Sequence, residues 1–150
     1  MGKAMTFAVL TVLVACAPTP PAPLSQSEVQ EFVRQYVAAG NTGDASKLME
    51  LVDRDPAVSS VGQGEVVRGW EAIRKSVDES IAQSSRLRIT VGTVDVIPLG
   101  TDSALAVAPM FVTLLQEKRR PDIPGSLTIV VKRTPAGLRL IHEHSSLRVQ

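Results

Sequence analysis

The chain has two histidines, and they stand two residues apart in Leu140-Ile141-His142-Glu143-His144-Ser145-Ser146. Imidazole can bind a metal or move a proton near neutral pH. Glutamate between them adds a carboxylate. If the stretch is a strand, alternate residues share a face. Leu138, Leu140, His142, His144 and Ser146 then form one row, and Arg139, Ile141, Glu143, Ser145 and Leu147 the other. His142 and His144 would point the same way, with Cα atoms about 7 Å apart. Zinc normally takes a third protein ligand. Glu143 points away, and nothing in the spacing of Asp53, Asp55, Asp95 or Glu65 supplies one. The helical zinc-protease signature needs histidines four apart. No metal site is therefore expected. The histidines remain candidates for three roles: ordinary strand residues, polar groups lining a ligand pocket, or an acid–base pair. Tyr36, on a helix, could offer a hydroxyl to the same pocket, or be a core aromatic. Trp70, at the start of another helix, could line the pocket mouth, or cover the core rim.

The elements that must position these residues follow from patterning. Ser25 with Glu28 three residues on reads as a capping box. Val29, Phe32, Val33, Tyr36 and Val37 then recur at helical spacing until Gly40-Asn41. Asp44 caps a short second helix carrying Leu48, Met49, Leu51 and Val52, closed by Pro56. Val58 to Val61 is a short strand, Gly62-Gln63-Gly64 a turn, and Val66-Val67 extended. A third helix from near Gly69 carries Trp70, Ile73, Val77 and Ile81. After Ser84 the period changes to two. Leu87 to Ile97 reads as a long strand interrupted near Gly92. Ala104–Leu115, Leu127–Lys132 and Leu138–Val149 follow, the last two joined by a turn at Pro135-Ala136-Gly137. Helices followed by a meander of strands is an α+β pattern.

The first 24 residues read differently. Lys3 precedes an apolar run from Ala4 to Ala15, too short to span a bilayer but right for a signal-peptide core. It stops at Leu13-Val14-Ala15-Cys16, which resembles a bacterial lipobox. That resemblance implies cleavage before Cys16, lipidation of its thiol and acylation of the new amine. Two or more chains at about 0.8 kcal/mol per buried CH₂ anchor stably where one does not. Cys16 is the chain's one cysteine, so it has no disulfide partner within the chain. Four prolines between Ala17 and Pro23 favour an extended tether of roughly 20 Å. The expected division is a signal peptide over 1–15, a lipidated tether over 16–24 and one domain over 25–150. The expected location is the bacterial cell envelope, on the periplasmic side of the outer membrane in a Gram-negative cell.

Composition limits the partners. Past residue 15 the chain has fifteen basic and fifteen acidic side chains, because Lys3 lies before that point. A neutral body with only four aromatics, Phe32, Tyr36, Trp70 and Phe111, argues against nucleic acid. Lys118-Arg119-Arg120 is a short basic stretch between two strands, a solvated tip or a contact for anionic headgroups.

"YVAAGNTGDASKLMELVD", "VGQGEVVRGWEAIR" and "LRLIHEHSSL" together resemble the SnoaL-like branch of the nuclear transport factor 2-like superfamily, over about residues 26 to 149. The resemblance implies a cone of three helices on a strongly curved, mainly antiparallel sheet. The superfamily holds isomerases, cyclases, dehydratases, transport factors and oligomerisation modules, so the fold does not choose a function. Its ketosteroid isomerases use a helix tyrosine, a protonated aspartate and an aspartate base. The resemblance keeps Tyr36 but puts Ser60 at the base and Ile129 at the second acid, and neither can do that work unaided. The expectation is a lipid-anchored, non-catalytic domain that binds a small apolar ligand or forms a homodimer, with no cofactor. Its pocket residues would be Tyr36, Trp70, His142 and His144. The alternatives are an enzyme using His142 or His144 with Tyr36, and a protein–protein interaction module.

Overall fold

A computed structural model describes residues 22–62, 64–84, 87–115 and 122–148. The signal-peptide and lipobox residues, including Cys16, and the Lys118-Arg119-Arg120 stretch lie outside these described residues.

Helix α1 spans Gln26–Gly40. Its N-terminus carries the expected capping box: Glu28 N–H donates to Ser25 Oγ at 3.3 Å, and Ser25 N–H donates to Glu28 Oε2 at 2.8 Å. Bonds from the Ser25 hydroxyl and then its backbone hold the Glu28 carboxyl below its usual value. Val29, Phe32 and Val33 form the buried face. Helix α2, Ala45–Met49, is shorter than its apolar pattern implied, because the chain turns at Glu50-Leu51 and Val52 instead bridges to Leu140. Strands β1 (Ser59–Gly62) and β2 (Glu65–Arg68) form a hairpin. Helix α3, Trp70–Ser84, follows.

The remaining strands are β3 (Leu87–Val91), β4 (Asp95–Pro98), β5 (Ser103–Leu114), β6 (Asp122–Thr134) and β7 (Gly137–Leu147). The seven-stranded sheet runs β2-β1-β7-β6-β5-β3, with β4 also paired to β5. Among the described strands, β1 and β7 alone pair in parallel; the other strand pairs are antiparallel. The break expected near Gly92 divides one sheet edge between β3 and β4, which pair with successive stretches of β5. Gly92 is needed there: its N–H donates to Pro109 O at 2.9 Å, and a Cβ would stand 2.8 Å from Pro109 Cγ. Helix α1 lies against β3, β4 and β5. In the core shared by α1 and the sheet, Val29, Val33, Ala104, Ile129, Val131 and Leu140 are sealed from solvent.

Strand β7 departs from the simple alternation. Val130 pairs with His142, but Val131 pairs with Leu140, so Ile141 is an extra residue with no partner on β6. A bulge of this kind bends its strand and shifts its phase by one residue. Before the bulge, Leu140 shares the inner face with Val131. After it, Glu143 stands opposite Ile129 and Ser145 opposite Leu127, both inner-face positions.

Candidate functional site

A cavity of about 910 Å³ opens beside the buried core. Its walls are mostly aliphatic: Leu48 of α2, Leu87 and Ile89 of β3, Met110 and Val112 of β5, and Leu127 of β6. The amphipathic pattern of α1 brings Tyr36 and Val37 to the wall, one turn after Phe32 and Val33 are buried. The end of β7 closes the other side with Glu143, Ser145 and Leu147.

Tyr36 packs against the core while its hydroxyl, for which the described residues provide no hydrogen-bond partner, is not sealed away. Burial first, and the negative charge of Glu143 second, push its phenol well above its ordinary value. The hydroxyl therefore stays protonated and can donate.

Glu143 is the only carboxylate among the described residues that border the cavity. It is oriented from the neighbouring parallel strand. Ser60, its register partner on β1, donates from Oγ to Glu143 Oε2 at 2.6 Å. No lysine, arginine or histidine forms an ion pair with Glu143 among the described residues. Ser60 and Ile129 stand where the isomerase comparison looks for carboxylates. Both are register neighbours of Glu143. The carboxylate at this spot thus comes from the strand between them.

Two expected pocket residues lie elsewhere. His142 does not border the cavity. The Ile141 bulge turns it opposite Val130, and its Nδ1 shares a 2.9 Å hydrogen bond with Ser59 Oγ. His144 is exposed and borders the cavity at its edge, opposite Thr128 in the β6 register. The row that put both histidines with Leu140 is corrected, because it assumed an unbroken period of two. A catalytic set of His142 and Tyr36 in one pocket is therefore not assembled. Trp70 also misses the cavity. Its Nε1 donates to Met49 O at 3.3 Å, and the Arg54 guanidinium lies 3.8 Å from its ring centroid. It pins α3 to the end of α2. Among the described residues no group of three or more His, Cys, Asp or Glu side chains is placed to hold a metal ion.

Sequence reasoning missed Glu143 and Ser145 as cavity residues, and Ser60 as the group that holds Glu143. A signal was present. Leu140 and Leu147 are seven apart, an odd number, so both can face inward only if the strand shifts phase once. The adjacent apolar pair Leu140-Ile141 marks where.

The SnoaL-like domain model matches residues 29–150. The chain belongs to the SnoaL-like domain family. Solved structures described as nuclear transport factor 2-like proteins share its fold. A Streptomyces avermitilis protein, described as a "putative dehydratase" of that family, is 22% identical, with a TM-score of 0.72, and the match covers 83% of this chain and 96% of that one. A superfamily protein from Salmonella enterica serovar Typhimurium is 18% identical, with a TM-score of 0.71 over 83% and 91%. A Nostoc punctiforme protein of unknown function is 12% identical, with a TM-score of 0.71 over 87% and 96%. No curated protein matches the sequence. At these identities the likeness establishes the fold and leaves the activity to be argued from the site.

Proposed function

We propose that this SnoaL-like domain holds one small, largely apolar molecule in the cavity between Tyr36 and Glu143, without converting it, while Cys16 fastens the chain to a bacterial envelope membrane by its lipids. The observation that carries the reading is the cavity itself. A space of about 910 Å³ with aliphatic walls and a few convergent polar groups has the make-up of a small-molecule site. Apolar walls supply affinity through burial; Tyr36 and Glu143 fix orientation.

Native mass spectrometry of protein purified from its own membrane tests this. A bound mass is expected, and Val112→Trp, which fills the cavity, should abolish it. A folded wild-type protein that carries no mass, and takes up no apolar probe saturably, defeats the proposal. The anchor has its own test: Cys16→Ser should move the protein into the soluble fraction, and retention in the membrane overturns that part. A homodimer through the outer sheet face also belongs to the reading, because Phe111 and Ile97 stand exposed there. Sedimentation showing only monomer at high concentration removes it.

A second reading is favoured by the Tyr36–Glu143 pair alone. A proton-transfer enzyme would use Glu143, in place of the histidines, as its base, with Tyr36 as hydrogen-bond donor. Recovery of the bound molecule unchanged after long incubation separates binding from turnover.

A further inference from the structure

The binding reading says nothing about the charge of the ligand. The cavity does. We infer that its ligand is a cationic amphiphile: an apolar body carrying one protonated amine, which pairs with Glu143. This inference rests on the binding reading and deepens it.

The first ground is a carboxylate without a counter-ion. Among the described residues, no lysine or arginine borders the cavity, and Glu143 has no ion-pair partner. Its neighbours across the sheet are Ser60 and Ile129, which carry no charge. His144, the one other ionisable group with Tyr36 on the lining, is exposed at the edge.

The second ground is what any occupant must do. A ligand that fills the aliphatic space displaces water from Glu143. Stripping solvent from a carboxylate is costly unless a positive group replaces it. A neutral occupant would leave that cost standing. A fatty acid would add like-charge repulsion. An ammonium group at Glu143 offsets part of that cost and gains a charge-assisted hydrogen bond.

The third ground is how the carboxylate is held. Ser60 Oγ occupies Oε2 at 2.6 Å, and Oε1 has no partner among the described residues. One oxygen is thus fixed by the protein and the other is left to a ligand. Tyr36 on the same lining adds an aromatic ring, a group that attracts an alkylammonium. The chain's part is that of a binder selecting for positive charge.

The experiment compares three probes with one tail: decylamine, decanol and decanoate. Each is titrated into the purified protein below its self-association concentration, by calorimetry. Decylamine is expected to bind at least about tenfold more tightly than decanol, with decanoate weakest. Glu143→Gln should remove the amine's advantage, and Glu143→Asp should keep part of it. A circular dichroism melt establishes that both variants are folded. Decanol or decanoate binding as tightly as decylamine overturns the inference while leaving the binding reading intact, as does a Glu143→Gln protein that still prefers the amine. If none of the three binds, the binding reading itself falls, and the inference with it.

Discussion

Deleting Ile141 should turn β7 into a regular strand without turning over any cavity residue. Leu140 already faces Val131 and His142 already faces Val130, so removing the residue between them leaves both pairs in place. On the other edge, Val52 bridges Leu140 and Ser59 pairs with His142. Closing the gap draws those contacts together by about one strand rise, ~3.4 Å, which the Asp53–Val58 connection can absorb. The cost is the half-buried Ile141 side chain. Half of a full isoleucine burial is about 1 kcal/mol. For a domain of roughly 125 residues that lowers Tm by about 4 °C. An unbulged β7 makes the opposite forecast. There the deletion turns residues 142–147 to the other face, breaks the Ser59–His142 and Ser60–Glu143 bonds and buries the wrong side chains. That amounts to about 5 kcal/mol, or a fall in Tm of about 20 °C. The assay is thermal unfolding followed by circular dichroism. Thiol labelling of Glu143→Cys and His144→Cys, each with Cys16→Ser, gives a second readout: position 144 should react fast and position 143 slowly, with or without Ile141. A drop near 20 °C, or a reversal of the labelling order on deletion, refutes the bulge argument.

Two further outcomes test other parts of the structure. Tyr36 is the chain's single tyrosine, so its ionisation can be followed directly by ultraviolet absorbance. Its phenol is raised in the folded state, chiefly by burial, above the ordinary value of about 10. Stability tied to this group is therefore complete below pH ~10 and is lost as pH climbs further, because the unfolded chain gives up the proton first. Phenolate should appear only with unfolding; a reversible titration near pH 10 in a protein whose circular dichroism is unchanged contradicts the placement of Tyr36. Leu140→Ala should cost about 3–5 kcal/mol in denaturant unfolding, since Leu140 is fully buried and joins the β6 register to the Leu51–Asp53 segment. A loss below about 1.5 kcal/mol would show that the core does not close around it.

Most of the fold was legible because its signals are local. The Ser25–Glu28 capping box, the helical spacing from Val29 to Val37 and the two-residue period of β5 each act over a few residues. The site was less legible because it depends on phase. One extra residue, Ile141, decides whether Glu143 or the histidines face inward, and an unbroken alternation chooses wrongly. Ser60 was read only as a lost base. Its bond to Glu143 joins residues 83 apart in sequence through a parallel pairing that spacing does not reveal. Of the two readings of Trp70, the pocket mouth fails for a similar reason, and the residue packs against the core instead. Its start-of-helix position is compatible with a pocket mouth, but the Met49 carbonyl and the Arg54 side chain come to it from another part of the chain.

Where the chain enters the domain has a consequence of its own. Arg133 donates from Nη1 to Ala22 O at 2.7 Å and from Nη2 to Glu28 Oε1 at 3.3 Å, and Leu24 beside them is buried. Arg133 lies near one end of β6; Leu127, in the cavity wall, is six residues away along the same strand, about 20 Å at the strand rise. Arg133 thus ties the chain at Ala22 to the far end of β6 and to the start of α1, away from the cavity-lining residues of both elements. A change in the length of the segment ahead of Ala22 therefore meets the domain at this clamp, and the binding proposed for the cavity should be left unaltered by it.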